Sequence, residues 1–72
     1  MNMISQYVVN ARFKIDGKMH EFPRLVTQDI DEAMTFDVSA YEPPWEVWLE
    51  HFIINENREV IDSRTATILF PA

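Results

Sequence analysis

The chain contains no cysteine and a single glycine. Without thiols there are no disulfides, no thiolate metal site and no thiol nucleophile. That pattern fits a reducing compartment, so a cytoplasmic protein is expected, of a bacterial host if a phage encodes it. With Gly17 as the only glycine, no phosphate-cradling loop of P-loop or dinucleotide-binding type can be written. Ser5, Ser39 and Ser63 lack a surrounding Gly-x-Ser-x-Gly elbow. No stretch approaches the ~20 apolar residues of a membrane span. Met1–Gln6 has no basic region followed by an apolar run, so no signal peptide is expected. Repeats and low-complexity tracts are also missing.

A further absence is local. Between Leu25 and Asn57 there is no Lys or Arg, yet the window holds eight carboxylates: Asp29, Asp31, Glu32, Asp37, Glu42, Glu46, Glu50 and Glu56. Phe36, Tyr41, Trp45, Trp48 and Phe52 lie in the same window, so the acidic stretch is also an aromatic one. Formal charge is +2 over residues 1–24, −8 over 25–57 and 0 over 58–72, which recovers the net −6. A field of one sign concentrated on part of a small protein favours encounters with cationic partners. Direct nucleic-acid binding needs the opposite, a basic face that displaces counterions from phosphates. Arg12, Lys14 and Lys18 make a poor footprint against that net charge, so no direct nucleic-acid contact is expected.

Seventy-two residues make one domain, 1–72. A chain this short buries only about 60–65% of its unfolded surface. Stability must therefore come from good packing, from self-association or from a partner. The 47% apolar content is that of a globular domain.

The clearest local signal is a β-hairpin. Val9, Ala11, Phe13 and Ile15 alternate with Val8, Asn10, Arg12 and Lys14. Asp16-Gly17 then suits a two-residue type I′ turn, whose central positions both need positive φ. That loop pairs Ile15 with Lys18, Phe13 with His20, Arg12 with Glu21 and Ala11 with Phe22, and so sets an opposite-charge pair across the strands. Pro23 lacks an amide donor and makes the second strand an edge there, or ends it near Val26.

The middle admits two readings. Asp29-Ile30-Asp31-Glu32 matches a capping box with Asp29 as N-cap. Ile30, Ala33, Met34, Val38 and Tyr41 fall on one helical stripe, which predicts a helix from about Ile30 to Tyr41. Residues 34–40 also alternate with period two, and their Thr, Val, Ser and Asp are poor helix formers. Pro43-Pro44 ends either element. Beyond it, Glu46–Asn55 and Arg58–Phe70 predict a second hairpin around Glu56-Asn57, rich in β-branched and aromatic residues. A helix opening at Pro44 competes, because Trp45, Trp48, Leu49 and Phe52 have helical spacing. As a strand, Glu46, Trp48, Glu50, Phe52 and Ile54 share one face, with Val47, Leu49, His51 and Ile53 opposite. Two apolar faces on one strand are more than one helix can cover, so the second face needs other packing or a partner.

The expected architecture is α+β: ββαββ, a four-stranded antiparallel sheet with one helix packed on it, with an all-β small barrel as the alternative. His20-Glu21 and Glu50-His51 are poor chelates, since neighbours on a strand point to opposite faces. No metal, no cofactor and no catalytic residue are expected, and the chain reads as a non-enzyme.

The expected role is that of a protein-binding inhibitor or modulator. Its candidate partner-binding residues are Asp29, Asp31, Glu32, Asp37, Glu42, Trp45, Glu46, Trp48, Glu50 and Phe52. The carboxylates would imitate a phosphate backbone, and the rings would anchor the complex in the basic groove of a nucleic-acid-binding enzyme or complex. In size, acidity and lack of cysteine the chain resembles the compact anti-defence inhibitors of anti-CRISPR or anti-restriction type that bacteriophages and mobile elements encode. That resemblance is one of general character and carries no motif. The alternative is a homo-oligomeric accessory subunit, a homodimer in the simplest case, without catalytic activity.

Overall fold

A computed structural model describes residues 3–71. The chain is mostly antiparallel sheet with one short helix, in the order β1 (Ile4–Ile15), β2 (Lys18–Thr27), α1 (Ile30–Met34), β3 (Glu46–Ile54) and β4 (Val60–Phe70). Spatial order is β2-β1-β3-β4, with β2 and β4 at the edges. The sheet is open, so the small-barrel alternative does not hold.

The first hairpin follows the predicted register. Ile15 faces Lys18, Phe13 faces His20, Arg12 faces Glu21 and Ala11 faces Phe22. Asp16 and Gly17 both take positive φ, 52° and 79°, as the type I′ turn demands. The ladder shifts register between Val9 and Asn10, where Asn10 pairs with Pro23 and Val9 with Leu25. A bulge beside a proline suits an edge strand, because the missing donor then faces no neighbour.

The helix is shorter than its stripe suggested. It spans Ile30–Met34 and does not reach Tyr41. Asp29 caps it, with Oδ1 accepting from the amides of Asp31 at 2.9 Å and Glu32 at 3.4 Å. The amide of Asp29 donates to Thr27 Oγ1 at 3.0 Å, and so has a partner other than the Glu32 side chain of a reciprocal box. Termination comes from side chains that compete for the backbone. Thr35 Oγ1 donates back to the carbonyl of Asp31 at 2.7 Å, and Asp37 Oδ1 accepts from the amide of Ser39 at 2.9 Å. Beyond the helix, Phe36, Val38 and Tyr41 still pack on the core, but from turns.

The second hairpin forms as a strand pair, and no helix opens at Pro44. Its loop is longer than Glu56-Asn57 alone. Asn55 Oδ1 accepts from the amides of Asn57 at 2.9 Å and Glu59 at 3.0 Å, and Arg58 takes a φ of 64°. Three register shifts interrupt the β3–β4 ladder.

Period-two alternation divides the sheet. Val9 and Ala11 on β1, with Val47 and Leu49 on β3, form the buried core together with Ala33 of α1. The helix and the segment to Trp45 therefore cover one face. Val8, Arg12, Glu46, Trp48, Glu50 and Phe52 alternate with those core residues and belong to the other face.

Candidate protein-binding surfaces

The candidate residues fall on both sides of the sheet. Asp29, Asp31, Glu32, Asp37 and Glu42 are exposed on the segment that covers the core face. Among the described residues the ion pairs are Arg12–Glu46 at 3.2 Å and Arg64–Asp62 at 3.5 Å, and neither involves these five acids. Two of the five carry local duties. Asp29 caps α1, and Asp37 closes the turn to Ser39. Hydrogen bonding from Ser39, its side chain first and its backbone amide second, holds the Asp37 carboxyl below its ordinary value of 3.8. Each such bond favours the charged form, so this carboxylate stays ionised further into acid.

Trp45 belongs to the core side. Its ring lies 4.2 Å from that of Phe13, 5.7 Å from Tyr41 and 6.0 Å from Phe22, and its amide donates to the carbonyl of Glu42 at 2.9 Å. This cluster is the aromatic end of the core, and the ring is half-buried. Beside it lies an open pocket of about 320 Å³ lined by Arg24, Ala40, Tyr41 and Trp45.

Glu46, Trp48, Glu50 and Phe52 lie on the opposite face, all partly buried. The Arg12 guanidinium carbon sits 3.6 Å over the Trp48 ring while its Nε donates to Glu46 Oε1 at 3.2 Å. One cation thus caps the ring and neutralises one acid of the face. The expected Arg12–Glu21 register is present, yet the ion pair forms across the β1–β3 ladder, where Arg12 faces Glu46. Apolar side chains surround this arrangement. Val26, opposite Val8, is 53% exposed, and Ile68, opposite Trp48, is 59% exposed. Arg12, Val26 and Ile68 contribute to this face and were not among the partner-binding candidates read from the sequence. Only the strand order, with β1 between β2 and β3, brings them together.

The two histidines lie apart in the chain's pairing scheme. His20 faces Phe13 on the β1–β2 ladder, and His51 stacks on Tyr7 with ring centroids 4.5 Å apart. Among the described residues no three His, Asp or Glu side chains gather as a metal site would require. Among the described residues no helix is long and apolar enough to cross a membrane. No family model matches the chain, and comparisons with curated proteins and with solved structures find no match.

Proposed function

We propose that the chain is a small, non-catalytic protein-binding modulator that offers its acid-bearing side to a basic groove on a partner. The observation that carries this reading is the set of five exposed carboxylates between Asp29 and Glu42, none of them in either ion pair among the described residues. Carboxylates outside an ion pair keep most of their field for an approaching cation, which speeds encounter and makes affinity fall as salt rises. A groove built for nucleic acid carries cations set to meet phosphates, so the partner class is a nucleic-acid-binding enzyme or complex. Inhibition of the anti-defence kind would follow from occupying that groove. Glu46 and Glu50 contribute less than the sequence suggested, because they share the other face and Glu46 is already paired with Arg12.

Affinity capture from native extract, comparing the natural chain with an Asp31→Lys/Glu32→Lys/Glu42→Lys variant, tests the reading. The expected result is a basic nucleic-acid-binding protein retained at low salt, released as salt rises and lost with the variant. Retention indifferent to both salt and charge reversal would overturn it.

A second reading, the homo-oligomeric accessory subunit, is favoured by a separate observation, the uncovered face of the sheet.

A further inference from the structure

We propose that the uncovered sheet face seats a second copy of this chain, packed face to face to make a two-sheet dimer. The inference is independent of the acidic-side reading, which concerns the other side of the molecule. Surface area gives the first argument. A compact 8.5 kDa monomer is expected to expose about 4,650 Å², whereas this chain exposes 5241 Å². The excess, about 600 Å², approaches the roughly 800 Å² per partner hidden in a standard interface. Shape agrees with it. The radius of gyration is 13.3 Å and the shortest axis only 17 Å, against about 11 Å for the radius of a compact chain of this length. The molecule has the form of one half of a sandwich.

Chemistry of the face gives the second argument. Val8, Val26, Trp48, Phe52 and Ile68 form an apolar field across all four strands. Aligned sheets pack about 10 Å apart through inner faces of this kind. The occupant follows from charge. Among the charged side chains of the face, Arg12 and Lys14 stand against Glu21, Glu46 and Glu50, a net of −1. The five acids of the covering segment lie on the other side. A strongly basic partner is drawn to that other side, while the sheet face is nearly neutral and carries both signs. A two-fold interface must be complementary to itself, with residue i meeting j and j meeting i. A face that carries Arg12 and Glu50 together can meet this condition when turned on its own copy, and the remaining −5 of each chain is then held away from the contact.

Sedimentation velocity across roughly 1–100 µM tests the proposal, a range that brackets micromolar dissociation. The natural chain is expected to move reversibly from one mass of 8.5 kDa to twice that value. Val26→Lys and Ile68→Lys place a charge on exposed positions of the face and leave the core untouched. Each is expected to weaken dimerisation at least about a hundredfold with an unchanged far-UV spectrum, since the substitution enters a two-fold contact twice. Met34→Lys, about half exposed but on the covered side, is expected to dimerise as the natural chain does, and so is Asp31→Lys/Glu42→Lys. The last variant separates this proposal from the acidic-side reading. A natural chain that stays monomeric at the top of the range overturns the proposal. So does a dimer that survives both lysines, which would place the contact away from this face.

Discussion

Truncating Leu49 to alanine should remove a large share of this protein's stability, while truncating Val26 should barely register. Leu49 is 5% exposed and faces Val9, itself fully buried, across the β1–β3 ladder. Losing three carbon groups forfeits about 2.4 kcal/mol of transfer energy at ~0.8 kcal/mol each. The cavity left behind adds to this, and measured Leu→Ala losses run from about 2 to 5 kcal/mol. A value near 3 kcal/mol suits a core whose other members are Val9, Ala11, Ala33 and Val47, all small. A domain of 72 residues has a total stability of only about 4–11 kcal/mol, so the loss is a large share of it. Thermal midpoints of domains this size move about 4–8 °C per kcal/mol, which puts the drop above about 12 °C. Val26→Ala removes half-exposed atoms and should cost under about 1 kcal/mol in the monomer. Urea unfolding followed by tryptophan fluorescence, at a concentration low enough to keep the chain monomeric, measures both. A Leu49→Ala cost below about 1 kcal/mol, or one no larger than that of Val26→Ala, would refute the assignment of the two faces.

Asp29→Ala removes the cap of α1 and should cost about 1 kcal/mol in urea midpoint analysis, whereas Asp29→Asn, which keeps an acceptor oxygen, should cost much less. His51→Phe should preserve the stack on Tyr7 while removing Nε2, a buried atom without a hydrogen-bond partner among the described residues. A gain of about 1 kcal/mol is expected from thermal melts, and a comparable loss would show that Nε2 is satisfied in solution. The Asp37 carboxyl should titrate below 3.8 by carbon-detected NMR, and Ser39→Ala should raise it only part of the way, because the backbone amide still donates. A folded value below the unfolded one means that this contribution to stability is present above the ordinary carboxylate range. It is lost as pH falls through the lowered value, so the loss shows only below about pH 4.

The first hairpin was legible from its turn to the Ala11–Phe22 pair because its signals there are local, alternation on both strands and one Asp-Gly turn of fixed length, whereas the register shift beyond Asn10 was not. The second hairpin was legible as a pair of strands but not in its ladder, since Asn55 organises a longer loop and bulges displace the partners of β3. The helix began where Asp29 indicated and ended early. Thr35 and Asp37 bind the backbone themselves, and side-chain competition of that kind outweighs the apolar stripe that continues to Tyr41. The division of the acidic-aromatic window into two sides was visible only in part. Alternation along β3 separates Trp48 from Leu49, but the position of Trp45 among Phe13, Phe22 and Tyr41 depends on long-range packing. The Arg12–Glu46 pair joins residues 34 positions apart and follows from strand order, which no local pattern encodes.

The most direct measurement is solvent paramagnetic relaxation of methyl groups, using a neutral gadolinium chelate at low and at high protein concentration. Val9, Val47 and Leu49 are expected to stay protected at both, as members of the core beneath α1. Val26 and Ile68 are expected to relax fast in dilute solution and to become protected as concentration rises. Methyls of Val26 and Ile68 that remain open to the chelate throughout, or core methyls that it reaches in the folded monomer, would contradict a sheet covered on one face by its own chain and on the other by a second copy.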